Sequence, residues 1–118
     1  DAFARQVKSA LAVAAVRMVG DPTQLISKVA VCGGGGMVTY ADAKRLGADC
    51  LVTGDIKFHE AQRARADGMT LIDAGHFGTE KMMIEILAER LSGVITERRF
   101  DLEVTTMTTE QDPFITIT

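Results

Sequence analysis

The apolar positions change period several times along the chain. Phe3, Val7, Ala10, Leu11 and Ala14 fall at helical spacing, which predicts an amphipathic helix over residues 2–13. "AAVRMVGDPTQ" then carries a short strand at Val16–Val19, ended by a Gly-Asp-Pro turn. Three compact apolar runs follow, "KVAVCGG", "ADCLVTGD" and "MTLIDAG", and each reads as a strand stopped by glycine. Between and after them the period lengthens to that of a helix. "MVTYADAKRLG" carries Val38, Ala41 and Leu46 and closes on Gly47, and "IKFHEAQRARADG" closes on Gly68. "TEKMMIEILAERLSG" sets Met82, Met83, Ile86, Leu87 and Leu91 at helical spacing.

The resulting order is β-α-β-α-β-α with short connections. Strands that are continuously apolar are buried on both faces, which predicts an α/β fold with helices covering a mostly parallel sheet. The tail differs: "FDLEVTTM" within "RRFDLEVTTMTTEQDPFITIT" alternates and predicts a C-terminal edge strand of the same sheet.

Composition narrows the function classes. With 118 residues the chain suits one α/β domain over residues 1–118. A net charge of -3, with dispersed basic residues, gives no electrostatic reason to expect nucleic acid or an anionic membrane surface. No apolar run approaches the roughly 18 residues of a membrane span. Cys32 and Cys50 have neither CxxC nor CxxH spacing and read as reduced thiols, which makes a cytoplasmic setting the default expectation. The chain starts at Asp1 inside a helical pattern, and is expected to be a piece of something longer.

Three loops follow the three strands: "CGGGGM", "TGDIKFHE" and "DAGHFGTE". In an open α/β sheet such loops share one edge, where ligands bind. They bring Thr53, Asp55, Lys57, His59, Asp73, His76, Thr79 and Glu80 into consideration. Gly33–Gly36 could cradle a phosphate, but it matches neither GxGxxG nor the P-loop. A tight turn, or room for a neighbouring backbone, explains the run equally well. His76 and Glu80 stand four residues apart at the start of a helix, so their side chains project onto one face. An imidazole with a carboxylate suits Zn, Mn or Fe(II), whereas a capping acid beside a turn histidine is the structural alternative. Two ligands make no complete site, and His59 is a third candidate by spacing or else a surface residue.

Taken together, "VAVCGGGG", "ADCLVTGDIKFHEA", "LIDAGHFGTEK" and the closing "DPF" resemble the dinuclear metal-centre proteins similar to NGG-interacting factor three, the GTP cyclohydrolase 1 type 2 homologues. The resemblance covers most of the chain and corresponds to the C-terminal half of a family member. It implies a two-part α/β fold, ring-shaped hexamers, and two divalent metal ions per subunit in a cleft. The family's His and Glu fall on His76 and Glu80 as metal ligands. The other ligands, a histidine pair and an aspartate, belong to an N-terminal half, and this chain has only His59 and His76. The resemblance therefore implies a site incomplete in this chain and a piece that on its own binds no metal. It further implies a metal-dependent hydrolase acting on a small molecule of unknown identity, with His59 or Asp55 relaying protons. A non-catalytic, metal-binding oligomeric module that works through protein partners is the alternative.

Overall fold

A computed structural model describes residues 1–117. Its elements are α1 (Ala2–Ala10), β1 (Arg17–Val19), β2 (Val29–Val31), a 3₁₀ turn (Gly36–Thr39) leading into α2 (Tyr40–Arg45), β3 (Cys50–Thr53), α3 (Phe58–Ala66), β4 (Thr70–Asp73), α4 (His76–Glu80) and α5 (Met83–Arg98). The predicted α/β order holds. The four strands form one sheet in the order β1-β4-β3-β2, with β2, β3 and β4 parallel and β1 antiparallel to β4.

The alternation of side chains across the sheet sorts the core into two layers. Leu51 and Leu71 are register partners and face α2 and α3, where Tyr40, Ala43, Ile56, Ala64 and Met69 close over them. Val52 and Ile72, the next pair along, face the other way with Cys50 and Ala74 and are covered by Ala4 and Val7 of α1. Helices thus lie on both faces, and β3 and β4 are buried throughout, as their unbroken apolar runs require. β2 departs from that expectation. Val29 and Val31 share the α1 side, but α1 does not reach them, and Val31 is 73% exposed.

The C-terminal strand is not formed. Residues 100–117 make no sheet pairing, and the antiparallel edge beside β4 belongs to β1 instead. Alternation specifies two faces for a segment but supplies no ladder, and a strand needs backbone partners as well as pattern. The segment runs along the surface with Phe114, Ile115 and Ile117 exposed. The helix read over residues 79–93 is divided, α4 ending at Glu80 and α5 running from Met83 through Gly93 to Arg98, and none of the α5 residues is buried. α5 and the C-terminal segment explain a radius of gyration of 16.9 Å, against about 13 Å for a compact domain of ~100 residues. Among the described residues no helix is long and apolar enough to cross a membrane. Both cysteines are free, and burial pushes the Cys50 thiol up to about 12.

Candidate functional site

The parallel register brings the three strand-terminal loops together. Thr53 ends β3 opposite Asp73, which ends β4, and Ala74 N donates to Thr53 O at 2.9 Å. Gly54 is pressed so closely against the next loop that a Cβ there would lie 2.6 Å from Gly75 C and His76 N. Glycine is required at that crossing because the two backbones touch.

The glycine run serves the same purpose. Gly34 N donates to Thr79 Oγ1 at 2.8 Å and Gly36 N to Thr53 Oγ1 at 2.8 Å. Gly34 O accepts from Thr53 Oγ1 at 3.0 Å and from Gly54 N at 2.8 Å. These amides are committed within the fold, and the run is packed against its neighbours rather than opened as a phosphate cradle. Gly34 has φ +65°, and a Cβ on it would sit 2.3 Å from Glu80 Oε1 and 3.1 Å from His76 Nε2. The missing side chain makes room for the Glu80 carboxylate and the His76 ring, which pack directly against this glycine.

α4 begins directly after Gly75, so His76 and Glu80 stand one helical turn apart on the same face. His76 Nε2 lies 3.1 Å from Glu80 Oε2, and on the other side of the ring Nδ1 lies 2.6 Å from Asp55 Oδ2. The three side chains are 52%, 52% and 57% exposed for His76, Glu80 and Asp55, so water reaches all of them. The hydrogen bond to Asp55 and the charge of Glu80 hold the His76 imidazole above its ordinary pKa. Asp55 itself adopts φ +56°, a left-handed conformation that costs a non-glycine residue on the order of 1–3 kcal/mol.

Behind this exposed trio is a buried carboxylate. Asp73 is 6% exposed and accepts from Ile56 N at 3.2 Å, Gly75 N at 3.0 Å and the guanidinium of Arg17, its register partner on β1. It ties the two loops that carry Asp55 and His76 to the sheet. Asp55, Asp73, His76 and Glu80 line a cleft of about 1150 Å³, whose other wall includes Glu110, Asp112 and Phe114 of the C-terminal segment.

Of the residues nominated from sequence, His76, Glu80 and Asp55 are therefore in contact. His59 is placed elsewhere: its ring meets Gln62 Oε1 at 3.1 Å and the edge of Phe58, both on α3. Thr53 and Thr79 hold backbone, and Lys57 begins α3 with its amide donating to Glu60 at 2.8 Å. Sequence reasoning missed Arg17; the signal for it was a lone cation interrupting "ALAVAAVRMVG".

The donors suit a divalent ion in part. Atoms 3.1 Å apart can be neighbouring ligands of one ion at roughly 2.0–2.2 Å from each. A carboxylate on the second ring nitrogen is the usual outer partner of a ligating histidine. Asp55 does not converge on the same point, however, and among the described residues no group of three or more His, Cys, Asp or Glu donors could hold a metal ion.

The profile of the Duf34/NIF3 (NGG1p interacting factor 3) family matches residues 1–113. The chain belongs to that family. Within it, the Duf34/NIF3 chain is 41% identical over 112 residues to the GTP cyclohydrolase 1 type 2 homolog of Halalkalibacterium halodurans, covering 95% of this chain and 30% of that protein. Crystal structures of Staphylococcus aureus protein SA1388 and of a Bacillus cereus protein related to NIF3 superpose with TM-scores of 0.90 and 0.91, at 38% and 34% identity. Each covers 98% of this chain, which spans 38% and 32% of those chains respectively. The Duf34/NIF3 chain thus spans about a third of the length of the relatives it matches.

Proposed function

We propose that His76 and Glu80 are two ligands of a divalent-metal site that is completed by residues outside this chain, and that the assembled site serves a hydrolase. The observation that carries this reading is the 3.1 Å approach of His76 Nε2 and Glu80 Oε2 on one face of α4, both packed against Gly34. His76 and Glu80 would hold a divalent ion such as Zn, Mn or Fe(II), which would supply Lewis acidity for hydrolysis when bound. Glu80 provides the negative charge that offsets the cation. His76 provides a neutral nitrogen ligand. Proton movement at the cleft falls to Asp55 by way of its hydrogen bond to His76, since the His59 imidazole faces Gln62 and Phe58 on α3 and does not line the cleft.

The name carried by the Halalkalibacterium halodurans relative, GTP cyclohydrolase 1 type 2 homolog, belongs to hydrolytic ring opening, and supports hydrolysis as the reaction class. The free thiols of Cys32 and Cys50 support a reducing, cytoplasmic setting. A second reading is a non-catalytic module in a ring-shaped hexamer. The exposed apolar side chains of α5 favour it, because such a helix suits burial against another surface.

Equilibrium dialysis of the full-length protein that contains this chain, against zinc and manganese ions, tests the ligand assignment. Uptake is expected to fall in Glu80→Gln and to be abolished in His76→Ala. Equal uptake by both variants and the unaltered full-length protein sinks the assignment. A screen of nucleotides, phosphoesters and amides for metal-dependent turnover separates the hydrolase from the module.

A further inference from the structure

His76 is held from both sides, and the two sides are unequal. Nδ1 is 2.6 Å from Asp55 Oδ2, while Nε2 is 3.1 Å from Glu80 Oε2. The shorter contact is also the one the fold works harder to make. Asp55 comes from a different loop, 21 residues away, and reaches the ring from a left-handed backbone at φ +56°. Gly54, just before it, has its backbone against Gly75 and His76 N. Parallel pairing of Thr53 with Asp73 delivers the two loops side by side. Strain of this kind persists only where surrounding structure imposes it, and here it ends in a single hydrogen bond.

The geometry points to Asp55 as a positioning residue: it keeps the neutral His76 ring protonated at Nδ1, so that the Nε2 lone pair is turned toward Glu80. This rests on the reading of His76 and Glu80 as metal ligands. A neutral imidazole carries one proton, which stays on the nitrogen with the shorter, charge-assisted bond. In the opposite tautomer Nε2 would carry a hydrogen aimed at Glu80, and a cation could bind that nitrogen only after the proton had been moved. Asp55 lies on the far side of the ring and acts only through His76.

The ring nitrogens of His76 in metal-free, ¹⁵N-labelled protein read this directly, at a pH high enough for the imidazole to be neutral. The chain has 2 histidines, so His59→Gln leaves the His76 signals alone. The expected spectrum shows a protonated Nδ1 and a bare Nε2. Asp55→Gly, which retains the left-handed backbone without strain, is expected to populate the Nε2-protonated form. Asp55→Asn, which also tolerates that backbone and removes the charge, is expected to move the balance the same way by less. In the full-length protein, zinc affinity should fall about 10–100-fold in Asp55→Gly, the usual effect of losing an outer partner of a ligating histidine. A wild-type ring protonated mainly at Nε2, or ring signals unchanged in both variants, overturns the proposal. Unchanged zinc uptake in Glu80→Gln would instead overturn the ligand assignment, leaving the tautomer result to stand by itself.

Discussion

Gly34 and Glu80 occupy adjoining space so tightly that a single methyl group on the glycine would lie 2.3 Å from the glutamate's Oε1. What would give way is the exposed Glu80 side chain, since no backbone atom is among the nearest neighbours of that methyl group. Gly34→Ala is therefore expected to cost only about 1–2 kcal/mol, from the left-handed φ, while separating His76 from Glu80. Gly54→Ala differs in kind. Its Cβ would meet the backbone of Gly75 and His76 at 2.6 Å, so the β3 and β4 loops must part. Its stability loss in urea titration is expected to exceed that of Gly34→Ala. Equal losses would show that the loops are not packed as described.

Asp73 anchors two loops through two backbone amides and Arg17. Asp73→Ala leaves the Ile56 and Gly75 amides without their acceptor, at about 1–3 kcal/mol for each buried donor. Arg17→Ala is expected to cost less, about 0–1 kcal/mol, because the Arg17 side chain is 74% exposed and screened by water. Denaturation midpoints of the two variants check the order.

Tyr40 gives a spectroscopic handle on the α2–α3 contact. Its hydroxyl donates to Asp67 Oδ2 at 2.8 Å, and burial, followed by that hydrogen bond and the Asp67 charge, raises its pKa from 10.0 to about 12. The raised value means that the folded state favours the neutral phenol. This contribution to stability is complete below pH 10 and is lost as pH rises toward about 12. The chain has 1 tyrosine and no tryptophan, so near-ultraviolet absorbance reports tyrosinate at this position alone. Asp67→Asn is expected to lower the midpoint yet leave it above 10.0, because burial is the larger cause. A midpoint at the ordinary value in the unaltered protein would contradict the buried placement.

Leu87 and Leu91 lie on α5 at 51% and 45% exposure, whereas Leu51 is fully buried between β2 and β4. Leu87→Glu and Leu91→Glu are expected to change the stability of this chain by no more than about 0.5 kcal/mol, and Leu51→Ala to cost about 2–5 kcal/mol. Comparable losses at all three would mean that α5 is packed on the sheet.

Much of this arrangement was legible in the residues. Leu51, Val52, Leu71 and Ile72 sit in unbroken apolar runs because both sides of their strands are covered, and glycines mark where those strands stop. His76 and Glu80 could be paired on paper because helical spacing is local. Asp55 was nominated as a proton relay, but its contact with His76 was not foreseen, since that contact depends on strand register and on a backbone angle that no residue pattern encodes. Arg17 and Asp73 form a pair 56 residues apart for the same reason. The tail was misread because alternation at Leu102, Val104 and Thr106 describes a ribbon with two faces and says nothing about whether an edge is free to receive it.

The bare flank of α5 has a consequence for how the molecule comes apart. Amides of β3 and β4, locked beneath helices on either side, should exchange their hydrogens only when the whole body opens. Those of α5 need no such event, since fraying of a 16-residue helix exposes nothing that was hidden. The protein should accordingly behave as a tight cooperative kernel with a loosely tethered rod, and Glu80 stands only three residues from the joint between them.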